Sequence, residues 1–334
     1  MTASGRISRR QALKATLTTT VATALAAACA DSAVAQGAYP NRPIRLIIPF
    51  PAGGPTDVMG RLIAAALSVT LGQQVFVDNR PGAGATLAGK AAATADPDGY
   101  TLLMGSAATL AIGPALYKGV EYDPKSFVPV ATVAGVPYLM IAGAQAPVKS
   151  VADVIAYAKA NPGKLNLGVP NGAPPHMLAA WFKSLTATDI VIVPYKGASN
   201  EITDIIGGHV DLGIEPTSVV LSHLNDGSMR AFATTTRERV PELPDVPTMI
   251  ECGVPGYVAS SWTGIVAPAG TPRPIVETLN AAVNTNLATA EMKAKLKTLG
   301  AAGLPGTPAD FAAFLAVELP KWTEMVKLSG ISGE

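Results

Sequence analysis

Cysteine is almost missing from this 334-residue chain, which holds only Cys29 and Cys252. Export followed by loss of the leader would leave Cys252 unpaired, so no disulfide is expected to brace the fold. Histidine is as scarce: His176, His209 and His223 show no metal-ligand spacing, and no metal site is expected. No G-x-S-x-G nucleophile elbow occurs, and Cys252 lies in the turn-rich run Glu251-Cys252-Gly253-Val254-Pro255-Gly256 with no base beside it. The run Gly84-Ala85-Thr86-Leu87-Ala88-Gly89-Lys90-Ala91 imitates a nucleotide P-loop. It fails at Ala91, where a Ser or Thr would hold magnesium. The chain is therefore read as a non-enzyme without cofactors. Charge is sparse too, at 15% of residues. The longest uncharged internal stretch, Phe127–Val148, is broken by Pro129, Gly135, Pro137, Gly143 and Pro147. That excludes a spanning helix and suits buried strands through Val128, Val130, Val133, Val136, Leu139 and Ile141.

What is present begins with a leader. Arg6, Arg9, Arg10 and Lys14 precede an uncharged Ala/Thr-rich segment from Ala15 to Ala30, and Ala33-Val34-Ala35 supplies a cleavage site. Residues 1–35 are read as a signal peptide, cut after Ala35, and the mature protein as periplasmic. Ser8-Arg9-Arg10-Gln11-Ala12-Leu13-Lys14 adds a twin-arginine pattern, weakened at Ala12. A lipobox ending at Cys29 is the rival, with Ala26 where a larger apolar residue is usual. The leader takes four of the 25 basic residues and one of the 24 acidic, leaving a formal charge of −2. Such a balance gives nucleic acid or an anionic membrane no reason to bind.

The rest alternates strands and helices, and does so twice. Ile44–Ile48 reads as a strand, followed by the loop Pro49–Pro55 and a helix with Thr56 as N-cap and Gly72 as its stop. Gln74–Val77 and Tyr100–Met104 are further strands. The order returns at Leu165–Val169, followed by the loop Pro170–Pro175, a helix beginning near His176, and strands at Ile190–Val193 and Val210–Ile214. Helical patterns close the chain at Ile275–Leu287, Glu291–Leu299 and Pro308–Leu328. This pattern predicts an α/β fold of two lobes, each a mainly parallel sheet flanked by helices. Lobe 1 is placed at residues 39–136 plus 262–334 and lobe 2 at 137–261, with crossings near Val133–Leu139 and Ser260–Val266. Loops at strand carboxyl ends then surround one cleft, which suits a clamp on a small molecule.

Within that cleft, Phe50-Pro51-Ala52-Gly53-Gly54-Pro55-Thr56-Asp57 carries the strongest signal. Two glycines before a helix start let backbone amides approach an anion at the positive helix end. Asp57 either complements the helix dipole or accepts a hydrogen bond from a ligand. Asn171, Gly172, Ala173 and His176 occupy the equivalent place in the second lobe, where His176 is either a ligand contact or a helix-start residue bonded to backbone. Glu215, ending a strand, is a ligand contact or a solvated strand end.

Taken together, the segments resemble the Bug family, the TctC-like periplasmic receptors of tripartite tricarboxylate transporters. The marks are Pro40-Asn41-Arg42-Pro43-Ile44, the Phe50–Asp57 loop, Asn79-Arg80-Pro81-Gly82-Ala83-Gly84, Tyr122-Asp123-Pro124, Ala158-Lys159-Ala160-Asn161-Pro162-Gly163, Val193-Pro194-Tyr195-Lys196-Gly197, Pro244-Asp245-Val246-Pro247-Thr248, Trp262 and Ala267-Pro268-Ala269-Gly270-Thr271-Pro272. The resemblance implies a flytrap that holds an organic carboxylate through backbone amides and hands it to a membrane permease. With Ser106 and Ala107 after the third strand, Tyr195 and Trp262 complete the residues expected at the ligand. The sequence departs from the family pattern at Thr109-Leu110-Ala111-Ile112-Gly113-Pro114 and Gly172-Ala173-Pro174-Pro175-His176, where polar residues are usual. Those changes favour a ligand with apolar bulk over citrate, unless they lie away from it. A sensory partner of a membrane kinase, or an exported enzyme on the same scaffold, would share the pattern.

Overall fold

The computed structural model describes residues 39–331, so the leader features and Cys29 lie outside the described residues. All elements belong to the unit that starts at Pro43. In chain order they are β1 (Ile44–Ile48), α1 (Pro55–Leu71), β2 (Val75–Asn79), α2 (Thr86–Ala93), β3 (Thr101–Ser106) and β4 (Phe127–Gly143). Then come α3 (Val151–Ala160), β5 (Asn166–Pro170), α4 (Pro174–Thr186), β6 (Val191–Tyr195), α5 (Ala198–Ile206), β7 (Leu212–Pro216), α6 (Thr217–Asn225) and β8 (Met229–Thr234). The chain ends with β9 (Ser260–Pro268), α7 (Arg273–Ala288), α8 (Ala290–Thr298), β10 (Ala302–Gly303) and α9 (Pro308–Ser329). No helix among the described residues is long and apolar enough to cross a membrane.

The first βα unit shows how sequence sets geometry. Ile44, Leu46, Ile47 and Ile48 are fully buried, so β1 is covered on both faces. Met59, Ile63, Ala64 and Leu67 form the buried stripe of α1, and Gly72 ends the helix in the left-handed conformation at φ 66°. Gly60 lets α1 lie close on the strand, because a Cβ there would overlap Cδ1 of Ile48. The helix starts earlier than Thr56. Gly54 is the N-cap, with extended backbone, and Pro55 takes the first helical position, where its missing N–H costs nothing.

The sheet order is β2-β1-β3-β9-β4-β7-β5-β6, with β8 and β10 also on β4. Strands β2, β1 and β3 run parallel, as do β7, β5 and β6. Between these groups the pairing is antiparallel, since β4 belongs to both. Phe127–Pro137 of β4 pair with β9, and Tyr138–Ala142 pair with β7. This makes a two-lobed α/β fold whose parallel groups are joined through antiparallel crossing strands.

The register also fixes which way the loops face. Strand β9 is antiparallel to both β3 and β4, so the first part of β4 runs with β1 and β3. The second part is antiparallel to β7, and β5 and β6 run with β7. The carboxyl ends of β1 and β3 therefore point at the junction near Pro137–Tyr138 from one side. Those of β5, β6 and β7 point at it from the other: Pro216, ending β7, pairs with Tyr138 itself.

Candidate functional site

In the loop after β1, Asp57 is the organising side chain. It is 2% exposed, and both its oxygens are engaged. Oδ2 accepts from the Gly53 amide at 2.8 Å and from Arg61 Nε at 2.9 Å; Oδ1 accepts from Asn79 Nδ2 at 2.8 Å. Asn79, the last residue of β2, also donates to the Phe50 carbonyl at 3.0 Å and accepts from Arg61 Nη2 at 3.0 Å. The Arg61 hydrogen bond, with those from Gly53 and Asn79, holds the Asp57 carboxyl down at about 2 against the opposing effect of burial. Gly53 sits at φ +85°, a conformation that a side chain disfavours. Asp57 stands in the first turn of α1, where its charge complements the helix dipole, and its three hydrogen bonds shape the loop from within.

What the loop offers an anion is its remaining amides. Gly54 carries no side-chain cap, and Pro55 has no N–H. The amides of Thr56 and Asp57 lack intrahelical acceptors, and with that of Ala52 they bond no other group among the described residues. Pro51, Ala52 and Gly53 are exposed, while Phe50, Gly54 and Thr56 are partly so. No basic side chain stands in the loop itself. The site is a set of donors at the positive end of a 17-residue helix.

The loop after β5 is equivalent in position but poorer in donors. Asn171 donates its amide to the Tyr195 carbonyl at 2.8 Å, Ala173 to Pro170 at 3.2 Å, and His176 to Ala173 at 2.9 Å. Pro174 and Pro175 have none to give, which leaves the Gly172 amide, at φ +69°. His176 is 8% exposed, its Nδ1 has no partner, and burial lowers its pKa. The helix starts at Pro174 with Ala173 as an extended, side-chain-free cap. This lobe therefore contributes one amide, the exposed Asn171 side chain and a neutral imidazole.

The other expected contacts divide. Ser106 ends β3 opposite Thr263 of β9, and the hydroxyls of both are buried without a partner. The Ser106 amide is taken by Thr109 Oγ1 at 2.9 Å. Ala107 is 5% exposed and leads into a π-helical turn at Ala108–Ile112, in which Leu110, Ala111 and Ile112 are all buried in the core. The departures after β3 therefore face inward. Tyr195 donates its hydroxyl to Asp204 Oδ2 at 2.7 Å, and burial, with Asp204 beside it, raises its pKa to about 12. Trp262 is 1% exposed and packs edge-to-face on Phe311 and Phe314 of α9, so it belongs to the core and presents no surface. Glu215 is 2% exposed, which rules out a solvated strand end; it faces another buried carboxyl, Glu201. Sequence reasoning missed Glu201, although its place one before Ile202 and four before Ile205 put it on the apolar face of α5. It also missed the locking of Asp57 by Arg61 and Asn79.

Two surface hollows, of about 360 and 560 Å³, lie elsewhere. One is framed by α3, the end of α4 and Gly253–Gly256, the other by Trp181, Arg237 and α9. Neither includes a residue of the loops after β1, β3 or β5. The loops, by contrast, carry the amides and helix ends suited to an anion.

A fold of two lobes with facing strand-end loops, one of them rich in free amides, defines a solute-binding protein. A family model for the tripartite tricarboxylate transporter family receptor matches residues 59–331. Protein BugT of Bordetella pertussis is 37% identical over 300 residues, which is 89% of this chain and 92% of that protein. Among solved structures, an R. palustris protein with adipate shares 38% identity at a TM-score of 0.75, covering 88% of this chain and 99% of that one. MatC from Rhodopseudomonas palustris, with bound malate, shares 34% at a TM-score of 0.72, covering 86% and 100%. The chain belongs to the Bug, or TctC-like, family of periplasmic receptors, which bind solutes and are not enzymes.

Proposed function

We propose that this protein captures an organic carboxylate between its lobes and delivers it to the membrane permease of a tripartite tricarboxylate-type transporter. The observation that carries the reading is the trio of unpaired amides at Ala52, Thr56 and Asp57, at an uncapped helix end facing the second lobe. Three or four charge-assisted hydrogen bonds contribute about 1.5–3 kcal/mol each before ordering and desolvation costs. The remainder corresponds to micromolar binding, about −8 kcal/mol. Holding the anion without an arginine keeps release easy. The ligand closes the lobes only if it touches both, and the Gly172 amide, Asn171 and His176 are the groups that reward closure.

Two relatives carry dicarboxylates in their structures, adipate and malate. Both are smaller in charge than citrate, and adipate has an apolar chain. The departures after β3 are buried in the core and say nothing of the ligand; with Ala173 offering no polar side chain in the second loop, this chain is best suited to a carboxylate with apolar bulk. The protein reaches the periplasm by the leader in residues 1–35. The test uses a strain lacking this gene and its complemented counterpart. Uptake of a labelled ligand carboxylate is lost and restored with the protein, and the periplasmic form begins at Gln36. Normal uptake in the deletion strain, with altered gene induction alone, would instead make it a sensor.

A further inference from the structure

Below α5, on the side of the sheet away from α4, two carboxyl groups are buried together. Glu201, in the first turn of α5, is 0% exposed, and Glu215, near the end of β7, is 2% exposed. Neither oxygen of Glu201 has a hydrogen-bond donor, nor does Oε1 of Glu215. The space for Glu201 is built into the strands. Gly168 of β5 and Gly213 of β7 are register partners, and each lacks the side chain that would fill the slot. A Cβ on Gly168 would lie 2.9 Å from Glu201 Cγ, and one on Gly213 2.8 Å from Glu201 Oε1.

No cation balances this pair. Among the described residues, neither glutamate makes an ion pair with lysine, arginine or histidine. The groups that face it are Tyr195 from β6, with its hydroxyl on Asp204 of α5, and Tyr138 from β4. Ile205 and Ile141 line the slot at Gly213 and Val210 lines it at Gly168, all of them apolar. Only the positive end of α5 favours charge here, and weakly. Two ionised carboxylates side by side in such a slot would each forfeit far more hydration than the helix end returns. A proton placed between them removes one charge and supplies the missing donor.

We propose that Glu201 and Glu215 form a proton-holding pair that makes the stability of the second lobe depend on pH. A carboxyl–carboxylate hydrogen bond satisfies the unpartnered oxygens and anchors the first turn of α5 to β5 and β7. Burial raises both carboxyls above their ordinary 4.5, and the charge of Glu215 raises Glu201 further. The folded state therefore holds more protons than the unfolded chain, and stability falls as pH rises from 4.5 through the raised values. Because Glu215 lies one strand over from Pro170, loss of the proton would loosen the sheet beside the Asn171–Ala173 loop.

The test is the melting temperature of the mature protein between about pH 5 and about pH 9, for wild type, E201Q and E215Q. Wild type is expected to lose roughly 5 °C or more across that range, and E201Q, whose amide is a permanent donor, to lose much less. Difference infrared spectra at neutral pH should show the carbonyl stretch of a protonated carboxylic acid in wild type and not in E201Q. Parallel pH profiles for wild type and E201Q, or no protonated-acid band, would overturn the assignment. So would stabilisation of wild type at alkaline pH by added sodium, potassium or calcium that E201Q lacks, because the occupant would then be a metal cation. Should E201Q fail to fold, E215Q and the wild-type spectrum decide the matter alone.

Discussion

At the scale of single residues, Asp57 explains why the anion site has the donors it has. By taking the Gly53 amide, Arg61 and Asn79, it turns the remaining amides of Ala52, Thr56 and Asp57 into a cluster without an acceptor. Asp57→Ala should weaken carboxylate binding about tenfold or more, roughly 1.4 kcal/mol, through loss of loop shape. Calorimetry on the variant checks this, and unchanged affinity would remove Asp57 from the account. The group also leaves a pH signature. Its folded pKa is depressed, so its stabilisation is complete above the ordinary 3.8 and disappears as pH falls toward 2. The importance of this loop was legible from its glycines and its place before a helix. The fate of Asp57 was not, because Arg61 and Asn79 reach it from one helical turn and 22 residues away. The setting of Trp262 was hidden for a related reason: its ring packs on Phe311 and Phe314 of α9, far along the chain, while its buried Nε1 has no partner.

Elements set how close these groups come. Helix α1 lies tightly on β1 because Gly60 leaves room for Ile48, which fixes the height at which its first turn meets the cleft. Gly60→Val should cost about 1–3 kcal/mol of stability by overpacking, and also weaken ligand binding as α1 shifts. A chemical denaturation curve with a parallel binding titration separates the effects; full stability and full affinity would contradict the packing argument. Strand and helix order was readable from periodicity, and most strands fall within two residues of expectation. The helix start at Pro55 was harder, since Thr56 has the side chain of a cap while the backbone makes Gly54 the cap. The difference between the two loops was equally hidden. Asn171–His176 looks equivalent to Phe50–Asp57 until Pro174 and Pro175 are counted as missing donors and the amides of Asn171, Ala173 and His176 are found already bonded.

For the whole molecule, β4 is the decisive element. Its uncharged, proline-bearing sequence resembles a faulty membrane span, yet it serves both halves of the sheet and turns two sets of strand-end loops toward each other. The lobes are unequal partners: lobe 1 holds most of the free amides, and lobe 2 adds a single amide, a neutral histidine and a proton-dependent support beneath its loop. Titration calorimetry of the mature protein with adipate, an aromatic carboxylate, citrate and the amide analogue of the best binder tests this most directly. The account predicts micromolar affinity for an apolar carboxylate, weaker binding of citrate, and none for the amide. Tighter binding of citrate, or equal binding of carboxylate and amide, would contradict it.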